Sequence, residues 1–276
     1  EKVGFEFCVH MGGIVNGNNP EKISMRLLKE DLGKYAKSIK SNKIYAICGE
    51  QDGYRNECFI GQLAMNIMTD KLWYDENEYL NGYENVSRVK DKPYYFADIP
   101  EKRVRMIFLS AYMTQIDEEV GLYEKTCVFD VEQIAWLHKS ALDLEEGWTV
   151  LLFSNALPKS RFEVGHDPFV YNGYSTEQVL MIVQMAQKRG INIGCWFAGH
   201  YNCDAEAVVG GVNFAVIASQ LPTLQTAVKC DGVRLLKNRE IGTVNQDAWD
   251  AVVLKTDERQ INLYRFGAGE DRIIKY

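Results

Sequence analysis

Four apolar runs, each short enough to be a buried β-strand, end directly in a polar loop. The loops span residues 12–17 (GGIVNG), 49–55 (GEQDGYR), 153–158 (FSNALP) and 197–206 (FAGHYNCDAE). Short, nearly continuous apolar runs are typical of strands buried on both faces of a sheet. Ligands of α/β sheets bind at the carboxyl ends of the strands, so we expect the four loops to share one rim of the molecule.

Helical periodicity separates the first two strands. Asn19 and Pro20 form a helix start, and apolar residues then recur at helical spacing as far as residue 41. Residues 56–70 are also predicted to be helical. Residues 71–91, rich in Tyr, Asn, Asp and Glu, are predicted to be an irregular surface excursion.

Two further helices are predicted from their first residues. Asp130 with Gln133, and Ser175 with Gln178, have the spacing of a capping box, in which the first residue accepts a hydrogen bond from the backbone of the fourth. Gly190 is expected to end the second of these helices, because glycine readily adopts the left-handed conformation found there.

Two segments are predicted to be β-hairpins, with turns near residues 100–102 and 256–259, because aromatic and β-branched residues fill both arms. Strands and helices alternate early in the chain, and hairpins dominate later. This order predicts an α/β fold in which two stacked sheets are covered by helices, a four-layer α/β/β/α sandwich. The sequence shows no repeat and no clear linker, so residues 1–276 are predicted to form one domain.

Composition excludes several functional classes. The net charge of −7 over 276 residues gives no general attraction to nucleic acid or to an anionic membrane. We see no transmembrane span and no signal peptide, which favours a cytoplasmic or virion-associated protein. The seven cysteines are scattered and include no C-x-x-C pair, so reduced thiols are expected rather than a disulfide framework or a zinc–thiolate site.

In sequence order the four loops resemble those of the calcineurin-like metallophosphoesterases, which read roughly G-D-x-x-D-G, G-N-H-D, S-H-x-P and G-H-x-H. The resemblance spans nearly the whole chain, and the closing YRFGAGEDRIIKY resembles the ending of bacterial and phage-encoded members. It implies the α/β/β/α fold and a centre in which two divalent metals activate a bridging water for attack on phosphorus.

The first two loops depart from that pattern. Gly13 stands where the family has the bridging aspartate, and Asn16 where it has a second acid. In the GEQD loop, Glu50 replaces the metal-binding asparagine and Gln51 the catalytic histidine, while Asp52 is retained. Gln51 cannot be a general acid, because an amide does not titrate. Asp52 is expected to brace its loop.

The later loops depart as well. Asn155 replaces the histidine of the S-H motif, His200 is retained, and its partner two residues on is Asn202. The family's first motif, D-x-H, has no counterpart in the sequence. Asn16, Asn155 and Asn202 together predict a neutral, amide-lined pocket for a polar ligand; the alternative is that the three amides are simply hydrated.

The resemblance implies unequal outcomes for the two metals. The first site retains no charged or imidazole ligand. The second retains Glu50, Asn155 and His200, which suit at most one weakly bound divalent ion such as Mn, Fe, Zn or Mg. His166 is the best candidate for a compensating ligand, whereas His10 is expected to be a satisfied core residue.

The prediction is therefore a catalytically degenerate metallophosphoesterase homologue, without a required cofactor. It would bind a protein partner or a polar small ligand through the old active-site rim or through the Tyr-rich segments 72–85 and 169–175, and a phage-associated role is compatible with this. The alternative is an active metal-dependent phosphoesterase with a remodelled metal site. Neither reading includes nucleic acid or a membrane as a partner.

Overall fold

The fold is seen in a computed structural model. The structure describes residues 5–14, 21–39, 43–49, 52, 69–117, 122–126, 128–157, 173–218, 233–234, 236 and 239–276. Within these ranges, no helix is both long enough and apolar enough to cross a membrane.

The strands are β1 (Cys8–His10), β2 (Ile44–Ala46), β3 (Val86–Arg88), β4 (Tyr95–Ile99), β5 (Val104–Leu109), β6 (Met113–Asp117), β7 (Leu122–Thr126), β8 (Thr149–Ser154), β9 (Asn192–Ala198), β10 (Asp204–Val209), β11 (Val212–Val216), β12 (Val233–Arg234), β13 (Ala248–Lys255), β14 (Gln260–Gly267) and β15 (Arg272–Lys275). The α-helices are α1 (Glu21–Ile39), α2 (Asp70–Glu76), α3 (Val131–Trp136) and α4 (Tyr174–Lys188).

An eight-stranded sheet forms the centre, in the order β12-β10-β11-β9-β8-β5-β4-β3. Strands β5, β8, β9 and β11 run parallel to one another. All six residues of both β5 and β8 are buried, as expected for strands covered on both faces. Because these strands are parallel, the loops that follow β8 and β9 lie at the same edge of the sheet.

A second β layer packs on this sheet, and within the described residues it consists of two separate pieces. Strands β1 and β2 form a parallel pair, and β13, β14 and β15 form an antiparallel meander. Both pieces contribute to one apolar cluster with the central sheet, in which Tyr45 of β2 stacks on Phe108 and Ile261 of β14 is fully buried.

Helices cover both outer faces. On the central sheet, Leu137, Val183 and Ala186 from the α3 and α4 region are buried against the strands. On the second layer, Leu28 of α1 and Trp73 of α2 pack on β2. The predicted four-layer α/β/β/α architecture is thus confirmed.

Both predicted hairpins are confirmed. Strands β4 and β5 pair across a 3₁₀ turn at Pro100–Lys102, and β13 and β14 pair in register from Ala248 with Gly267 to Lys255 with Gln260. The helix predicted after Pro20 is also confirmed as α1, although Asn19 and Pro20 themselves and residues 56–68 lie outside the described part of the chain.

The capping predictions have mixed outcomes. Asp130 does cap α3, since its side chain accepts a hydrogen bond from the Gln133 backbone, and α3 continues as a π-helical turn over Leu137–Ala141. The prediction for Ser175 is wrong. Helix α4 begins at Tyr174 with Gly173 as its N-cap and no side-chain cap, so Ser175 lies inside the first turn.

The prediction that residues 71–91 form an irregular surface excursion is also wrong. This stretch contains most of α2, a 3₁₀ helix at Glu78–Gly82 and strand β3. Trp73 and Leu80 are each only 1% exposed. Two large apolar side chains fix the segment to the core, although polar residues outnumber them.

Candidate functional site

Asp52 joins the first two loops of the rim. Its side chain is 1% exposed and accepts hydrogen bonds from the backbone N–H groups of Gly13 (2.9 Å), Ile14 (2.5 Å) and Gly49 (2.8 Å). An ionised carboxylate is a strong acceptor for several donors at once. The prediction that Asp52 braces its loop is confirmed, and it braces the first loop as well.

The same two loops approach the third so closely that glycine is required. Gly12 has a positive φ of 85°, and a Cβ atom there would lie 2.7 Å from Nδ2 of Asn155 and 2.9 Å from Cα of Gly49. By contrast, a Cβ atom on Gly13 would meet no heavy atom of the described residues within 4 Å. None of these residues fills the position where the resemblance expects a bridging aspartate.

Asn155 is buried and uses both ends of its side-chain amide. Nδ2 donates to the carbonyl oxygen of Met11 at 2.6 Å, and Oδ1 accepts from the Tyr112 hydroxyl at 3.1 Å. Its backbone carbonyl accepts from the N–H of Gly199 at 2.8 Å. Asn155 therefore connects the first loop, the loop after β5 and the loop after β9.

Sequence reasoning missed Tyr112. It follows β5, which the sequence predicted as one arm of a hairpin, but β5 is also a central parallel strand whose carboxyl end reaches the rim. Gln133 holds this segment, because its side-chain amide accepts from the Ser110 N–H and donates to the Ser110 carbonyl, both at 2.8 Å. A short polar stretch after β5, Ser-Ala-Tyr, was the available signal.

The last loop exposes His200 at the rim. His200 and Asn202 have positive φ angles of 67° and 55°, and the His200 side chain is exposed. The Tyr201 hydroxyl, in contrast, is buried and donates to the carbonyl of Leu157 at 2.8 Å. The His200 ring lies edge-on to Tyr112, with 6.4 Å between ring centroids. The structure thus brings His200 and Asn155 together through Tyr112.

His10 lies at the end of β1 beneath the rim. Its Nδ1 accepts a hydrogen bond from the Gly12 N–H at 3.2 Å. Burial lowers the pKa of His10, and the nearby carboxylates of Asp52 and Asp31 oppose that shift only in part. This neutral imidazole agrees with the predicted core role, although the residue as a whole is half-buried.

Four of the predicted site residues, Asn16, Glu50, Gln51 and His166, lie outside the described residues. The predicted amide pocket and the predicted single metal site therefore remain predictions in the part that depends on them. Of the rest, Asn155 and Asn202 belong to one rim but differ in exposure, since Asn155 is 4% exposed and Asn202 is half-buried.

The described residues do not fit a centre for two metals. Gly13 has no side chain, the Asp52 carboxylate already binds three backbone N–H groups, and the Asn155 oxygen accepts from Tyr112. Nowhere in the described ranges do three or more His, Cys, Asp or Glu side chains gather as a metal would require. His200 is the one imidazole ligand that the resemblance assigns within these ranges.

The first Tyr-rich segment serves internal packing. The Tyr83 hydroxyl accepts from the Ile44 N–H at 3.1 Å, and its ring lies edge-on to both Tyr45 and Tyr79. Desolvation of the hydroxyl raises the pKa of both Tyr79 and Tyr83, although Tyr79 as a whole is 36% exposed. These contacts connect the segment 72–85 to β2, so Tyr83 serves internal packing, while part of Tyr79 remains at the surface.

Comparison with known structures agrees with the architecture. A dimetal phosphatase from Danio rerio superposes with a TM-score of 0.58 over 98% of this chain and 84% of its own, at 15% sequence identity. The chain has the fold of a dimetal phosphatase. No protein-family model matches the sequence, and a search of curated proteins finds no match. At this identity the likeness is one of fold alone.

Proposed function

We propose that this chain is a catalytically degenerate relative of the calcineurin-like metallophosphoesterases, in which the rim binds a polar ligand or a protein partner without hydrolysing it. One observation carries the proposal. The polar side chains of the first three loops that the structure describes, Asp52, Ser154 and Asn155, are buried and hydrogen-bonded to the protein itself.

Among the described residues of the rim, the last loop carries the most exposed polar side chain. His200 and Asn202 offer an imidazole and an amide beside Tyr112, and such groups recognise polar ligands by hydrogen bonds. The net charge of −7 argues against a nucleic acid as the partner. A bacteriophage role remains part of the hypothesis and rests on the C-terminal resemblance alone.

The alternative is an active metal-dependent phosphoesterase in which Glu50, Asn155 and His200 hold one divalent ion. Two observations favour it. His200 is exposed at the rim, and its ring lies edge-on to Tyr112, whose hydroxyl donates to the Asn155 side-chain oxygen. Under this reading the Tyr112 hydroxyl would orient the amide oxygen toward the ion.

A metal and activity assay separates the two. The purified chain is incubated with manganese and a generic aryl phosphodiester, and its metal content is measured by mass spectrometry. We expect no bound stoichiometric metal and no turnover above the protein-free rate. Turnover that disappears in His200→Ala but persists in His138→Ala, an exposed histidine on the π-helical turn, would overturn our proposal in favour of the alternative.

A binding experiment tests the remaining half of the proposal. The isotope-labelled chain is titrated with inorganic phosphate and followed by NMR. We expect saturable shifts of the amide signals of residues 199–203 that are lost in His200→Ala. Absence of any shift in this loop would contradict a polar-ligand role for the rim and leave a protein partner as the only surviving form of the proposal.

A further inference from the structure

A cluster of four buried charges lies beside the last loop, and a fifth charge, the partly exposed Glu206, approaches Arg272 at 3.9 Å. Arg265 pairs with Asp204 at 2.8 Å and with Asp250 at 2.9 Å, and Arg272 pairs with Asp250 at 2.7 Å and with Asp204 at 3.5 Å. All four side chains are 1–3% exposed. Two carboxylates and two guanidinium groups thus compensate each other out of contact with water.

The hydrogen bonds make the cluster specific in geometry. Burial by itself lowers the pKa of Arg265, but its hydrogen bonds to Asp250 and Asp204 outweigh that effect and raise the pKa above the usual value. Arg265 also donates to the carbonyl of Ala268. Buried charges retained in this way are associated with conformational specificity more than with net stability.

The two aspartates occupy different places in the chain. Asp250 lies inside β13, where its neighbours on both sides are strand residues. Asp204 is the first residue of β10 and directly follows the loop 199–203. Its carboxylate also accepts the Ala218 N–H at 3.1 Å. Of the two, only Asp204 is continuous with the loop that presents His200.

The same loop is fastened at its other end. The Gly199 N–H donates to the Asn155 carbonyl at 2.8 Å, and the Tyr201 hydroxyl donates to the Leu157 carbonyl at 2.8 Å. Between these bonds and Asp204, His200 and Asn202 hold left-handed conformations that non-glycine residues adopt only at a cost. Such conformations persist where the surrounding structure over-determines them.

We propose that Asp204 is a positioning residue of the rim, which holds the backbone of His200 and Asn202 in their left-handed conformations through its ion pairs with Arg265 and Arg272. The inference rests on the proposed function for its importance, because a fixed backbone matters only if this loop binds something. The backbone conformation of residues 200 and 202 is measured without any ligand. The positioning role of Asp204 can therefore fail while the proposed binding function stands, and the reverse also holds.

The test compares Asp204→Asn with Asp250→Asn. Both replace a carboxylate of similar burial that pairs with Arg265 and Arg272, so loss of the ion pairs alone predicts the same response to either. The Ala218 N–H bond belongs to Asp204 only, and an asparagine oxygen can still accept it. In the parent chain, NMR should show the strong intraresidue cross-peaks between amide and α protons that a positive φ produces at residues 200 and 202. We expect Asp204→Asn to lose these cross-peaks and Asp250→Asn to retain them, whatever the loss of thermal stability in each.

A second pair of variants provides a test if the asparagine variants fail to fold. Asp204→Glu and Asp250→Glu keep the charge and displace the carboxylate by one methylene group. We expect the first to shift the signals of residues 199–203 and the second to leave them in place. If the two members of either pair perturb residues 200 and 202 equally, or if neither does, Asp204 has no positioning role and the cluster serves only to join the two β layers.

Discussion

The rim has an inward half, which is its first three loops, and an outward half, which is the loop 199–203, and the two use polar side chains in opposite ways. In the first three loops, Asp52 and Asn155 point inward and bond to backbone groups of neighbouring loops. In the last loop, His200 points outward from a left-handed backbone. The comparison teaches that a rim can keep its shape while its chemistry changes, because the bonds that hold its loops together are separate from the groups it presents.

The largest expected effect comes from removing the inward brace. Asp52→Ala leaves three backbone N–H groups without this acceptor, one of them in a buried hydrogen bond and two in part-buried ones. An unsatisfied buried donor costs about 1–3 kcal/mol and a part-buried one costs less, because water can reach it, so we expect a loss of about 2–5 kcal/mol in the free energy of unfolding. Urea denaturation measures this. Asp143→Ala, at an exposed position, is the control and should change little. Equal effects of the two variants would contradict the brace.

Asn155 allows a second test of the inward half. Asn155→Leu removes bonds to Met11 and Tyr112 and should cost about 2–3 kcal/mol, whereas Tyr112→Phe removes one bond and should cost about 1 kcal/mol. Denaturation of both single variants and of the double variant gives the coupling between them. If the two costs are simply additive, the hydrogen bond between these side chains contributes nothing.

His10 makes the inward half sensitive to acid. Burial lowers the pKa of its imidazole in the folded state, so the unfolded chain takes up a proton first as the pH falls below about 6.5, the ordinary histidine pKa. Stability should therefore fall between that pH and the lower folded-state pKa. Protonation of Nδ1 would also place a donor against the Gly12 N–H.

The measurement is the free energy of unfolding at a series of pH values from 7.5 to about 5, taken for the parent chain and for His10→Gln. The variant should show a smaller loss over this range, since glutamine does not titrate. An identical pH dependence in both proteins would show that His10 is not responsible.

The smallest change in the free energy of unfolding is expected in the outward half, and its sign is opposite to that of the changes above. His200→Gly relieves a positive φ and should leave the free energy of unfolding unchanged or raise it by about 0.5–1 kcal/mol. His138→Gly, on the π-helical turn, is the matched control and should lower it by about 0.5–1 kcal/mol. If His200→Gly is the more destabilising of the two, the outward half also carries structural bonds and the comparison fails.

Local signals in the sequence predicted much of this fold. The hairpins needed only aromatic and β-branched arms around a turn, and Asp130 needed only its spacing to Gln133, so both were predicted correctly. Ser175 has the same spacing to Gln178, but the prediction from it is wrong, because the cap is Gly173 and the helix starts two residues earlier than a Ser175 cap requires. Spacing alone does not say which residue begins the first turn.

The site was harder to predict, because its geometry depends on contacts distant in sequence. Asn155 bonds to Met11, 144 residues away, and no local pattern indicates such a pair. The bracing role of Asp52 was predicted, but its second partner loop was not. Tyr112 was missed because β5 belongs both to a hairpin and to the parallel part of the sheet, and only the second of these places its end at the rim.

The division of the second β layer has a consequence for how the chain opens. Within the described residues, β1 and β2 pair only with each other, so the segment with α1 is attached to the rest by packed side chains and by the bonds of Tyr83, Tyr95 and Asn155 rather than by a continuous ladder. We expect such a segment to open as its own cooperative unit. Its amide protons should exchange with solvent before those of β8 and β9, and the face of the central sheet beneath it would then be the first apolar surface that a chaperone or protease meets.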